Sequence, residues 1–234
     1  MDRSHVILTV FSKRCLINIK MARPKESERQ DIKALVLRHS KALFLKQGFA
    51  NVTMRDIARE IGYSPAAIYL YFDNKDQIYY ELFNEGFQIL YRRQLETAQQ
   101  SFNDPTDELY SMGQAYIRFA MDFPEYYDLM FVMREPRKFM EHCLNENTGE
   151  PIRTDFSEMS YNLLRATIKK CIDQGYFKGF DVEIASFTTW AAVHGMATLI
   201  LRGMLVAPEE MKPIIFNGAH ECLQALIKTS KQTK

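Results

Sequence analysis

The sequence predicts an all-α protein, on three observations. Apolar residues recur at three- and four-residue spacing almost throughout, alternating strand patterns are missing, and breakers such as Pro105, Pro124, Pro136, Pro151, Gly175 and Pro208 cut the pattern into helix-length segments. With 234 residues, 47% of them hydrophobic and 25% charged, the chain can bury a sizeable core, which excludes a disordered or fibrous protein. No internal repeat or low-complexity tract interrupts it.

Residues 1–20 read as an N-terminal extension, disordered or artefactual, because Met21-Ala22-Arg23-Pro24-Lys25 looks like a second, basic chain start. The apolar run Val6 to Phe11 is too short for a signal segment or a membrane span, and Lys13-Arg14 ends it. A cytoplasmic protein without membrane association is expected.

Ser27, with Gln30 completing a capping box, predicts a first helix from about Glu28 to Gln47 that stops at Gly48. Its apolar stripe, Ile32, Leu35, Val36, Ala42 and Leu43, suits packing on one side. Thr53 followed by Asp56 repeats the capping signal, Ile57, Ala58 and Ile61 form a buried stripe, and Gly62 ends a second, very short helix. Ser64 is a natural N-cap and Pro65 suits the first helical position of a third, with Ile68, Tyr69 and Phe72 as its inner face. Asp73-Asn74 then restarts the chain as a long helix through about Gln100.

Two helices this short are not stable alone, so their close spacing through Gly62-Tyr63-Ser64 needs a tertiary reason. A helix-turn-helix supplies it. The second helix of that motif lies in the major groove with its N-terminal end toward the bases, where only small side chains fit, and Ala66 and Ala67 are small. Charge agrees: residues 21–75 carry ten Lys and Arg against six Asp and Glu, whereas residues 76–234 carry sixteen against twenty-two. A basic front suits a polyanion, and an acidic body avoids binding it indiscriminately.

The run TMRDIAREIGYSPAAIYLYFDNKDQIYYELF, starting at Thr53, resembles the N-terminal DNA-binding domain of the TetR family of transcriptional repressors. The similarity extends over roughly Ala34 to Phe87 and combines core, capping and contact positions: Phe49, Thr53, Ile57, Ala58, Gly62, Ser64, Ile68-Tyr69, Tyr71-Phe72 and Lys75. The resemblance implies that Thr53 and Arg55 meet phosphate, where free backbone N–H groups favour an anion. It further implies that Tyr63, Ser64, Pro65, Ala66 and Ala67 present the base-reading edge, that Tyr69 and Lys75 grip the flanking backbone, and that Tyr71 sits near the same strand. With few long polar side chains at the tip, readout should lean on methyl contacts and DNA shape. The implied organisation is a three-helix helix-turn-helix DNA-binding domain over 21–75 followed by a helical ligand-binding and dimerisation domain over 76–234.

Within that second domain, Trp190-Ala191-Ala192-Val193-His194-Gly195 resembles the motif of the WHG class of TetR C-terminal domains. Helical spacing puts Phe187, Trp190, Ala191, His194, Thr198 and Leu201 on one face of this segment and Ala192, Met196, Leu199 and Gly203 on another. A helix apolar on two sides must be covered twice. The second cover is expected to be a partner subunit, with Ile215, Gly218, Cys222, Ala225 and Leu226 of the last helix sharing the interface. A homodimer also lets one motif per chain read a two-fold operator. The first face could line a cavity for a small apolar or aromatic ligand, with Phe119, Phe123, Tyr127, Met130, Phe131, Met159 and Leu163 joining Trp190 and His194. Plain core packing would produce the same aromatic stripe.

Cys15, Cys143, Cys171 and Cys222 lie far apart without a CxxC, and Glu141-His142-Cys143 would point in different directions on a helix, so neither a metal site nor a cofactor is expected. No nucleophile elbow, phosphate loop or paired carboxylates suggest an enzyme. The expectation is a repressor released from double-stranded operator DNA by a small-molecule effector; the alternative is a ligand-independent dimeric regulator.

Overall fold

The computed structural model describes residues 26–133, 156–204 and 208–230. The extension 1–20 and the Glu141-His142-Cys143 cluster lie outside these residues. Among the described residues there are nine α-helices, one 3-10 turn and no strand.

Helix α1 (Glu26–Gln47) already contains Ser27, which is therefore not its cap, and it stops at Gly48, whose φ is 80°. Its buried face is Val36, Ser40, Leu43 and Phe44, a stripe at four- and three-residue spacing that leaves the expected Ala42 exposed. Phe44 packs between the rings of Phe49 and Tyr79, with centroids 5.1 and 5.9 Å away. A 3-10 turn (Phe49–Asn51) leads to α2 (Met54–Ile61) and α3 (Pro65–Tyr69).

Asn74 caps α4 (Lys75–Ala98) by accepting from the Gln77 backbone N–H at 2.8 Å, while the Gln77 side chain accepts from the Asp73 N–H at 2.8 Å. Ile78, Tyr79 and Leu82 on α4 complete the core over Val36, Phe44, Ile57 and Ile68, and Leu90 carries the same buried cluster on to Tyr116, Phe119 and Tyr127. The expected division after Lys75 thus falls at the first turn of a helix that both parts share.

The body consists of α5 (Pro105–Asp122), α6 (Pro124–Phe131), α7 (Phe156–Asp173), α8 (Val182–Leu201) and α9 (Lys212–Thr229). Pro105 and Pro124 open α5 and α6, where a proline lacks no needed donor, and Gly175 follows α7 with φ 91°. Buried Glu108 on α5 accepts from Thr167 at 3.0 Å and from Lys170 at 2.9 Å, which fastens α7.

Helix α8 buries neither of the two faces expected from its sequence. Its core stripe is Ala185, Ser186, Thr189, Val193 and Ala197. These short side chains let α8 lie close to α5 and α7, which leaves Trp190 and His194 half-buried at one margin and Phe187, assigned to the inner face, 60% exposed. By length and composition alone α8 is apolar enough to cross a membrane, yet only 28% of its most apolar window is buried within one chain. Helix α9 buries His220 and Ile227 and turns Ile214, Ile215, Gly218, Cys222, Ala225 and Leu226 to the outside. Of the residues expected at a dimer interface, these α9 positions, Leu199 and Gly203 are exposed; Ala192 is half-buried, and Met196 packs partly against the main core.

Candidate nucleic-acid interface and effector cavity

The turn between α2 and α3 is built from local chemistry. The Thr53 hydroxyl accepts from the Asp56 N–H at 3.2 Å while an Asp56 carboxylate oxygen accepts from the Thr53 N–H at 3.0 Å and from its hydroxyl at 2.5 Å. These bonds from Thr53, reinforced by the Arg59 guanidinium that donates to Asp56 at 2.6 Å, hold the Asp56 carboxyl below its ordinary pKa. At the other end of α2, Gly62 adopts a left-handed conformation (φ 73°, ψ 24°), and the Tyr63 N–H bonds back to the Ala58 carbonyl at 2.9 Å. Ser64 caps α3 by accepting from the Ala67 N–H at 3.2 Å, with Pro65 in its first turn.

Ile57, Ala58, Ile68 and Phe72 are buried behind this turn. In front of it Thr53, Arg55, Tyr63, Ser64, Ala66 and Tyr69 are exposed, and Pro65, Ala67 and Tyr71 are half-buried. Tyr69, read from the sequence as an inner-face residue as well as a backbone grip, is 53% exposed and so belongs to the outer surface. Leu70, absent from the expected contact residues, is 75% exposed on the same surface. Nothing in the apolar periodicity marks it, since a leucine beside Ile68 and Phe72 looks like core.

Lys75 departs from expectation. Its ammonium donates to the carbonyls of Phe49 and Val52 at 2.8 and 2.9 Å and lies 4.3 Å from the centroid of the Phe49 ring. Those carbonyls belong to the 3-10 turn and the residue after it, just before the Thr53 cap. In this arrangement Lys75 fastens the approach to α2 and has little left to offer a phosphate.

The residues expected around a ligand separate into several places. Phe119, Tyr127 and Met130 are buried in the main core, Phe123 stacks on Phe119 at 5.9 Å beneath the Arg93 guanidinium, and Phe131 packs between Tyr127 and His194. Met159 and Leu163 on α7 are half-buried. His194 is already satisfied: the hydroxyls of Tyr116 and Tyr127 both lie 2.9 Å from its Nδ1, and the Tyr127 hydroxyl reaches Thr198 Oγ1 at 2.8 Å. Burial lowers the His194 pKa and so favours the neutral imidazole, whose Nδ1 shares hydrogen bonds with the two phenolic hydroxyls.

A cavity of about 40 Å³ lies between α5, α8 and α9, with contributions from α4 and α7. Of the nine expected ligand residues only Trp190 lines it; Thr106, Leu109, Gly113, Thr189, Val193 and His220 are among the others. They come from five helices, so no single stretch of sequence displays them. The one available signal was on α9, where His220, Leu223 and Ile227 fall on one face at three- and four-residue spacing.

Residues 36–82 match the family model of bacterial regulatory proteins of the tetR family, and residues 109–216 match the model of the tetracyclin repressor-like C-terminal domain. No curated protein matches. Among solved structures, the TetR family transcriptional regulator PfmR from Thermus thermophilus superposes with a TM-score of 0.58 at 18% identity, covering 81% of this chain and 97% of that one. The fatty acid degradation regulator FadR from Bacillus halodurans gives 0.61 at 13% identity, covering 86% and 97%. A tetR-family regulatory protein from Rhodococcus RHA1 gives 0.61 at 18% identity, covering 83% and 96%.

Proposed function

This chain belongs to the TetR family of transcriptional regulators, and we propose that it is a cytoplasmic, non-enzymatic, homodimeric repressor whose grip on operator DNA is released by a small molecule bound in its helical body. The observation that carries the reading is the division of residues 53–72 into a buried scaffold and an exposed, doubly capped edge. Small side chains at Ala66 and Ala67 let the N-terminal end of α3 approach the bases. Thr53 and Arg55 at the start of α2 meet phosphate, and Tyr69 and Tyr71 hold the flanking backbone. Exposed Tyr63 and Leu70 add apolar contact of the kind that reads thymine methyl groups. Lys75 is a positioning residue that holds the turn before Thr53.

The exposed faces of α8 and α9 support the homodimer, with Leu199, Ile215, Gly218, Cys222, Ala225 and Leu226 at its centre. DNA selects one spacing of the two recognition helices, and an effector releases DNA to the extent that it binds another spacing better. The test is binding of the purified dimer to DNA from upstream of its own gene. Sequence-selective binding at moderate salt, lost in a Tyr69→Ala variant that still folds, is the expected result. Equal affinity for unrelated DNA overturns the reading.

A further inference from the structure

Resting on the regulator reading above, we infer that the effector enters the cavity between α5, α8 and α9, and that it is an uncharged molecule with a compact apolar body and one hydrogen-bonding group that pairs with His220. His220 is 3% exposed, lines the cavity and stacks on Tyr110 with ring centroids 4.2 Å apart. Neither its imidazole nor the hydroxyl of Thr189, which is 6% exposed and lines the same cavity, makes a hydrogen bond to another described residue, and both line the open space of the cavity. Polar groups that face a cavity take their partners from what fills it. Other polar lining groups are engaged in part: the Gln94 carbonyl oxygen accepts from Ser160, and the Gln224 amide donates to Asp107 at 2.7 Å. His194, expected among the ligand-lining residues, is engaged at Nδ1 by two tyrosines. His220 is the histidine that lines this cavity.

The chemistry of the lining sets the class of occupant. Among the described residues no Asp, Glu, Lys or Arg lines the cavity, so a carboxylate or ammonium entering it would lose its hydration without gaining a counter-charge there. Burial holds the His220 pKa down to about 4, so the ring is neutral and can donate from one nitrogen and accept at the other. Leu109, Met112, Val193, Leu223 and Ile227 supply an apolar wall for the body of the molecule. At about 40 Å³ the space has room for water molecules but not for a larger body. A larger occupant must part α9 from α5, and the two meet where a Cβ at Gly113 would lie 2.6 Å from His220 Nε2. Because the opposite face of α9 carries the exposed apolar residues, such a displacement is transmitted straight to the proposed subunit interface.

Trp190, the one tryptophan of the chain, lines the cavity and reports its occupancy. Full-length protein is titrated with cyclohexanol, methylcyclohexane and cyclohexanecarboxylate, three probes of similar shape that differ in polarity and charge, while Trp190 emission is followed. Cyclohexanol is expected to give a saturable shift and to bind about tenfold more tightly than either of the others, the worth of one neutral hydrogen bond. His220→Phe keeps the stacking on Tyr110 and should remove that preference. Gly113→Ala places a methyl against the imidazole and should abolish saturable binding. Circular dichroism and operator binding without probe confirm that each variant is folded. A saturable response to none of the three probes leaves a hydrated packing gap and overturns the inference, as does tighter binding of the carboxylate or a preference that survives in His220→Phe. Intact operator binding in those samples would leave the regulator reading standing, whereas its absence would sink that reading separately.

Discussion

The ammonium of Lys75 is held by main-chain carbonyls and a phenyl ring, whereas the guanidinium of Arg55, exposed at the start of α2, forms no ion pair among the described residues. Equal formal charge therefore predicts unequal behaviour. Replacing Arg55 by Ala should lower the slope of log affinity against log salt by about one, because one fewer counterion is released. Lys75→Ala should weaken operator binding at every salt concentration with the slope unchanged, because it loosens the turn that precedes Thr53. A reduced slope for Lys75→Ala would place its ammonium on DNA. His220 makes a second prediction at this scale. Its folded pKa of about 4 lies below the ordinary 6.5, so between these values the unfolded chain binds more protons than the folded one. Stability is then full above pH 6.5 and declines as pH falls toward 4; His194, also lowered, acts in the same direction. Urea denaturation across this window should show the decline, and His220→Phe should flatten part of it. An identical decline in the variant would assign the effect to other groups.

At the scale of single elements, the short helices α2 and α3 depend on their ends. Gly62 closes α2 with φ 73°, and a Cβ built there meets nothing within 4 Å, so Gly62→Ala isolates the backbone cost of the left-handed conformation. The expected loss is about 1 kcal/mol in chemical denaturation, together with weaker operator binding as the angle between α2 and α3 relaxes. Unchanged stability would mean that the turn tolerates another conformation. Such caps were legible in the sequence because they join residues three or four apart: Thr53 with Asp56, Ser64 with Ala67, and Asn74 with Gln77. The orientation of α8 was not legible. Its Trp190 and His194 dominate the hydropathy pattern, but the approach of α5 and α7 selects the face that carries Ala185, Thr189, Val193 and Ala197.

For the whole molecule, the connection between DNA and body runs through shared packing. Lys41 on α1 pairs with Glu125 at 3.0 Å and lies over the Tyr126 ring at 3.9 Å, and the Tyr79 hydroxyl on α4 donates to the Leu129 carbonyl at 2.5 Å. Helix α6 is thereby held to both α1 and α4, and under the proposed function these contacts would carry a shift of the body toward α3. Leu226 is 63% exposed on α9 and Ile215 40%, and full burial of such a side chain contributes about 1.5–3 kcal/mol. Leu226→Glu should convert the dimer to monomer in sedimentation velocity and lower operator affinity steeply, since half-sites about 34 Å apart require two linked motifs. A dimer that survives this change would move the interface elsewhere.

The sequence by itself determined the helical class, the capped turn from Thr53 to Phe72 and the family, because caps, periodicity and motif spacing are relations between near neighbours along the chain. Only the tertiary structure decided that Lys75 clamps a turn, that His194 Nδ1 is engaged by Tyr116 and Tyr127, and that His220 lines a cavity. Those outcomes depend on contacts from 23 positions apart, between Lys75 and Val52, to 110, between Tyr110 and His220, and on helices meeting from several directions. The packing of the whole core sets such contacts, and no local pattern encodes them.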